Sequence, residues 1–508
     1  STLSPYEHRY ARDDPVYIGM VTQRDGNEVN LLTSSIQTTG GALVATTLYT
    51  VSGLIYAFVT SPSVTGQYFF AVLTIALVLR PIRGITQTLH KIGTEPGESV
   101  EAYLGVAVLF GVAYLSVLGV VGFTIGGYLA QMTVFDRTLL RISGVFAATT
   151  ALVMTVESLV SAVGYPSAVT WINSVKSSLE LGVLLILNQS IATVTELMAV
   201  MIGVRLTVFG LVAVGLRVIP ALPDQHELSR AWGYAKWSIP DQILDRVSYN
   251  MPVYVLGIVS TPLAVGIYEV ADRFGDFGAT IAWQLSNPLL TKVSGDDAAG
   301  VAVGRYIDTV VTGGSGVSFV VFGYLLSTRE LIAALAFPSA PVQFSTTVII
   351  VGGINIFRGF WTLSSHVLEG LGHPGLSFRT KLYGLVVSVP LTAVLGVRFG
   401  ALAGAVGYVV MNLVVGGYVI YYSRQVLDST LIDTTVGLHF LVALVVESAV
   451  VYATVWGVLQ VGGGPVIAAV AGIVAACIGF GVPLWVVSAP ARAVFRRTYE
   501  LSIDRLPH

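Results

Sequence analysis

Charge is what this chain has least of. Aspartate, glutamate, lysine and arginine make up 11% of its 508 residues, against roughly a quarter in a soluble domain. A chain so poor in charge cannot clothe a water-exposed globule, which excludes the soluble classes of enzyme and binding protein. The formal net charge is −2, so there is no global basic surface for nucleic acid. Cys477 is the only cysteine, which excludes a disulfide within the chain. The histidines at 8, 90, 226, 366, 373, 439 and 508 are scattered, with no metal-ligand spacing. No metal and no cofactor is expected. The first thirty residues are polar and lack the apolar core of a secretory signal; they read as a cytoplasmic tail.

What is abundant is apolar and small. Hydrophobic residues make up 54% of the chain, and there are 54 glycines, a residue common in transmembrane helices because it lets backbones approach. Apolar runs long enough to cross a bilayer, about 20 residues each, recur about fourteen times. They fall near 33–60, 65–90, 100–125, 138–163, 166–187, 190–216, 229–259, 262–287, 302–327, 339–371, 374–398, 400–424, 436–461 and 464–488. The longest break, "RVIPALPDQHELSR" at 217–230, holds two prolines and several charges. The expected organisation is an all-α membrane protein. It has a tail at 1–30, a first six-helix lobe at 31–216 and a cytoplasmic linker at 217–228. A second lobe follows at 229–427, then two extra helices at 428–490 and a tail at 491–508. With both termini inside, only Arg137, Arg141, Arg329 and Arg398 fall on the outer side, as the positive-inside rule requires.

The two lobes look like copies. "TSPSVTGQYFFA" (60–71) and "STPLAVGIYEVA" (260–271) align without a gap and share Pro62/Pro262, Gly66/Gly266 and Tyr68/Tyr268. "SLVSAVGYPSAV" (158–169) and "HVLEGLGHPGLS" (366–377) share Gly-x-Pro at 164–166 and 372–374. Six helices separate the copies, so both lobes have the same topology, as in transporters built from parallel repeats.

Two six-helix lobes, the Pro-x-x-x-Gly-x-Tyr turn before helices two and eight, and "QLSNPLLTKVS" (284–294) together resemble the multidrug/oligosaccharidyl-lipid/polysaccharide (MOP) superfamily. Within it, the resemblance is to the polysaccharide-exporter branch with its Wzx-type lipid-linked oligosaccharide flippases. That resemblance implies a V-shaped bundle, a central cavity lined mainly by the first two helices of each lobe, and alternating access by rocking of the lobes. It also implies a lipid-linked glycan as cargo, membrane lipid as surroundings and glycan-assembly enzymes as partners.

The charges at membrane depth are the candidate site. Each costs about 2.5–3.5 kcal/mol to insert, so it is expected to face a cavity or another charge. "GIYEVADRFGDF" (266–277) places Glu269, Asp272, Arg273 and Asp276 at i, i+3, i+4 and i+7, one stripe of helix eight. Arg273 lies about 18 Å below the start of that helix, past mid-membrane. On helix seven Arg246 sits at a matching depth, with Asp241 and Asp245 nearby and Pro240 and Pro252 allowing a bend.

One reading pairs these charges with each other: Arg246 with Asp272 or Asp276, and Arg273 with Glu269 or Asp245. The other gives Arg246 and Arg273 a headgroup phosphate, whose oxygens the planar guanidinium fork matches, and gives the carboxylates sugar hydroxyls. Arg83, beside Arg80 in "LVLRPIRG", would assist entry of the headgroup or simply flank the membrane. Helix ten adds Arg358, His366 and Glu369 on one face, with Trp361 either packed or stacked on a sugar. Lys176 and Glu180, at i and i+4, are expected to pair. Glu157 and Glu180 are the candidates for ion coupling; Glu196, Arg205 and Glu447 stay open between coupling and structure. Two alternatives to a flippase are a cation-coupled multidrug antiporter and a membrane glycosyltransferase or polymerase. The antiporter is disfavoured because helices one and two carry no carboxylate, the enzyme because no large loop or metal motif is present.

Overall fold

The structure is a computed structural model. It describes residues 17–18, 21–22, 40–41, 44–49, 51–52, 55–56, 61–92, 99–132, 137–163, 165–187, 193–298, 304–371, 374–426 and 434–488. Most of the expected N-terminal tail and first span, all of the C-terminal tail, Gly164 and Gly372 lie outside the described residues. Apart from a two-residue ribbon, in which β1 (Tyr17–Ile18) pairs antiparallel with β2 (Val21–Thr22), the described chain is helical. The helices are α1 (Pro62–Val78), α2 (Arg80–Ile92), α3 (Val100–Met132), α4 (Arg137–Ala162), α5 (Pro166–Ile186), α6 (Val194–Leu216) and α7 (Gln225–Val259). They continue with α8 (Pro262–Ala298), α9 (Gly304–Ala336), α10 (Pro341–Gly370), α11 (Pro374–Phe399), α12 (Ala401–Val426), α13 (Thr434–Gln460) and α14 (Pro465–Val487).

The chain is a multi-pass membrane protein. Among the described residues nine helices are long and apolar enough to cross a membrane, ten if α1 and α2 form one span bent by 49°. The fourteen expected spans are therefore not all matched. Those at 166–187, 229–259 and 262–287 are helical but too polar for that measure, because they hold the charges discussed above. The bend between α1 and α2 falls at Leu79, two residues before Pro81, which has no N–H for the carbonyl four residues back and crowds it.

The matched prolines of the repeat all do the same work. Pro62, Pro166, Pro262 and Pro374 are the first residues of α1, α5, α8 and α11, the position where a missing N–H costs nothing and a fixed φ helps.

The chain forms two compact units, Ser1–Thr60 with Gln67–Asn250, and Ser61–Gly66 with Met251–His508. In the first unit α2, α3 and α4 bury Leu89, Tyr103, Leu159 and Val160 together with Ala231 and Ala235 of α7. Residues 217–224 belong to this unit: the Ala221 N–H donates to the Glu101 carbonyl at 2.9 Å. The division at Asn250 lies inside α7, where the backbone leaves helical geometry (φ −112°, ψ 17°). Pro252, two residues on, disfavours helical geometry just before it, whereas Pro240 leaves α7 unbroken.

In the second unit α8 packs most extensively on α10, and α12 packs on both. The last two helices, α13 and α14, pack on α9 and on each other. Phe440 of α13 and Phe480 of α14 join Phe319, Phe360 and Leu363 in one core cluster. In this unit the first turns of α1 and α8 touch at their matched glycines. A Cβ on Gly66 would stand 1.7 Å from the Pro262 carbonyl oxygen and 2.9 Å from the Gly266 nitrogen. Only glycine permits that approach.

Candidate functional site

The charged stripe of α8 faces α10 and α12 within the second unit. Glycine sets the distance: a Cβ on Gly275 would stand 3.2 Å from the Gly352 Cα and 2.7 Å from the Asn355 amide nitrogen. At that separation the side chains above and below the glycine reach across. Arg358 of α10 donates to Asp276 of α8 at 2.6 Å and to the hydroxyl of Tyr408 on α12 at 2.8 Å. The Tyr408 hydroxyl donates in turn to Asn355 Oδ1 at 3.1 Å, and Thr280 donates to Asp276 Oδ2 at 3.4 Å. One turn earlier, Arg273 Nε meets Glu269 Oε1 at 3.2 Å, with both side chains buried. The cluster holds three carboxylates, Glu269, Asp272 and Asp276, against two guanidiniums.

Three buried polar atoms in this cluster have no hydrogen-bond partner among the described residues: Asp272 Oδ1, the Tyr268 hydroxyl and Asn355 Nδ2. Buried polar atoms in folded proteins are nearly always hydrogen-bonded, and an exception calls for an explanation such as a ligand or water. Together they offer a carboxyl oxygen, a hydroxyl and an amide donor, the complement a sugar's hydroxyls require. Asn355 and Tyr408 were not singled out from the sequence, and Tyr268 only as a matched residue of the repeat. Neutral polar residues in apolar runs carry no strong signal, although Asn355 lies three residues from Arg358 and so on its face.

The structure sorts the expected pairs. Of those proposed for Arg273, the one with Glu269 forms. Asp276 takes Arg358 in place of the expected Arg246. In the first unit Arg246 has its Nε buried with no hydrogen-bond partner among the described residues, and its carbonyl accepts from the Asn250 amide at 3.2 Å. Asp245 is exposed, and the side chains of Asp241 and Glu369 lie outside the described residues. Arg83 is exposed on α2, while Arg80 donates to Gln242 of α7 at 3.0 Å. Trp361 is buried to 9% exposure; a Cβ on Gly416 would stand 2.7 Å from its indole ring, so this side chain packs against α12. His366 turns Nδ1 to the Thr362 carbonyl at 2.8 Å.

The expected pair of Lys176 with Glu180 gives way to two bridges between helices. Lys176 meets Glu157 of α4 at 3.5 Å, and Glu180 meets Arg205 of α6 at 3.7 Å. Arg205 also lies over the Phe146 ring at 4.0 Å, which draws it and Glu180 toward α4 and α6. Glu196 proves to be a cap: it and Thr193 bond each other's backbone N–H at the start of α6.

No protein-family model matches the chain. Over 189 residues it is 24% identical to the probable low-salt glycan biosynthesis flippase Agl15 of Haloferax volcanii. That match takes in 36% of this chain and spans 39% of the relative's length. Among solved structures it resembles the lipid II flippase MurJ in an inward closed conformation, with TM-score 0.66 and 11% identity over 89% of this chain and 99% of that one. It also resembles an inward-facing multidrug resistance MATE family transporter of the MOP superfamily. There the TM-score is 0.63 and the identity 11%, over 78% of this chain and 98% of that one. At these identities the likeness is one of fold. The chain has the fold that these two solved structures share.

Proposed function

We propose that the chain is a flippase, not an enzyme. It moves a polyprenyl- or dolichyl-(pyro)phosphate-linked oligosaccharide from the cytoplasmic to the outer leaflet of the plasma membrane by alternating access. The glycan serves surface polysaccharide or protein glycosylation and is supplied by glycan-assembly enzymes at the inner face. The observation that carries this reading is the trio of partnerless buried atoms on Asp272, Tyr268 and Asn355 beside the Asp276–Arg358 pair. A hydroxyl-rich ligand satisfies all three, and both guanidiniums of the cluster are already held by carboxylates, which leaves neither for a phosphate.

The phosphate is given to arginines outside that cluster. Arg246, with its Nε buried and unbonded, binds the headgroup, and exposed Arg83 assists its entry. Arg273 is held by Glu269 and reaches a phosphate only if that pair opens. The likenesses to a lipid II flippase and a glycan biosynthesis flippase support this cargo class.

The antiporter reading is disfavoured by the bridges in the first unit. Glu157 and Glu180, the carboxylates it would use, are each engaged by a cation.

Deleting the gene in its host and profiling lipid-linked sugars by mass spectrometry tests the proposal. Build-up of the charged lipid carrier with loss of surface glycan supports it and identifies the glycan. An unchanged lipid-sugar profile in cells newly sensitive to cationic dyes favours the antiporter instead.

A further inference from the structure

The pair of helices that follows the two lobes carries a charge for which the flippase reading has no use. Glu447, midway along α13, has no solvent exposure, and neither carboxyl oxygen has a hydrogen-bond partner among the described residues. Its carboxyl lies over the backbone of α9, where a Cβ on Gly323 would stand 2.5 Å from Oε2 and 2.8 Å from Oε1. From the other side α14 closes at Gly479, whose Cβ would stand 3.0 Å from the Glu447 Cα. Glycines on two neighbouring helices thus let the Glu447 side chain lie directly against their backbones.

No charged or titratable side chain among the described residues engages it. On α9, Ser327 spends its proton on the Gly323 and Ser448 carbonyls at 3.0 and 2.9 Å. Tyr324 turns to the Ala469 carbonyl on α14. Arg329 and Glu330 begin about 9 Å further along α9. On α14 the one candidate, Cys477, is exposed. On α13 itself His439 lies two turns before Glu447, with its Nδ1 unpartnered. An ionised carboxylate in this slot would be bare in hydrocarbon, whereas the neutral acid fits at far lower cost.

We infer that Glu447 is a proton-binding site. In the packing of α9, α13 and α14 described above it holds a proton. When that packing opens, the O–H bond breaks, the proton passes to water and the carboxylate is hydrated. The inference does not depend on which cargo the chain carries.

The test uses the full chain in liposomes and the apolar reagent dicyclohexylcarbodiimide, which reacts with a protonated carboxyl inside a membrane. The acid's proton goes to a carbodiimide nitrogen, its oxygen adds to the central carbon, and the adduct rearranges to a stable N-acylurea that peptide mass spectrometry locates. The expected result is an adduct on Glu447 at neutral pH that is lost at alkaline pH and is absent from Glu447→Gln. No adduct at neutral pH overturns the inference. So does an adduct whose yield is the same at neutral and alkaline pH, since that carboxyl never releases its proton. The wild-type chain alone decides the matter if Glu447→Gln does not assemble.

Discussion

Arg358 on α10 donates to Asp276 on α8 at 2.6 Å, and the same guanidinium bonds the Tyr408 hydroxyl on α12. One cation therefore ties three helices of the second unit and neutralises one of three neighbouring carboxylates. The arrangement is strong only while it is complete, because a half-empty ion pair away from water leaves an uncompensated charge.

Replacing Arg358 with alanine is therefore expected to lower stability by about 3 kcal/mol. Thermal unfolding of the purified protein in detergent measures it. The same loss is expected of Arg358→Met, and adding Asp276→Leu to it is expected to restore most of that loss, because the pair is then removed as a unit. A double variant as unstable as the single one would mean that the pair does not carry the effect.

The contact at Gly66 predicts a sharp contrast between glycines. Gly66→Val drives a branched side chain into the Pro262 carbonyl, 1.7 Å from the Cβ position, and is expected to cost about 3 kcal/mol or more. Gly182 on α5 has nothing within 4 Å, so Gly182→Ala should fold as well as the wild type. Size-exclusion profiles of the two variants, side by side, check this.

Asp272 offers the test of sugar contact. Its Oδ1 is buried without a partner, so Asp272→Ala removes an acceptor for the ligand and breaks no protein bond at that atom. A hydrogen bond is worth about 0.5–1.5 kcal/mol, or roughly a twofold to tenfold loss of flipping. Flipping assays at matched expression, beside a thermal unfolding curve close to wild type, separate loss of contact from loss of fold.

Glu157 and Glu180 distinguish the two transport readings. The flippase account treats them as halves of bridges to Lys176 and Arg205, so Glu157→Gln and Glu180→Gln should flip the lipid-linked glycan at the wild-type rate. A rate that falls in both and loses its dependence on a sodium or proton gradient would make them coupling residues.

Much of the fold could be read from the sequence because bilayer length and proline position are local signals. The prolines at 62, 166, 262 and 374 mark four helix starts, and Pro81 and Pro252 stand within two residues of the two breaks. Two local expectations gave way. Helix α8 runs to Ala298, beyond the expected end near 287, since "QLSNPLLTKVS" does not stop it. The Lys176–Glu180 pair yielded to partners on α4 and α6, which spacing along one helix cannot reveal. The stripe on α8 was visible as a stripe. Its partners Arg358, Asn355 and Tyr408 come from helices more than eighty residues later in the chain, brought in by a glycine-set crossing that no periodicity encodes.

The most direct test is to watch the cargo cross. The purified chain is placed in liposomes that carry a polyprenyl-phosphate-linked sugar, and the fraction of sugar open to an impermeant oxidant outside is followed in time. The account predicts that the wild type exposes sugar protected in protein-free liposomes. Arg246→Ala should slow that exposure, and Arg246→Lys should slow it less. Sugar that stays protected, in liposomes where the same chain expels a cationic dye against an ion gradient, would contradict it.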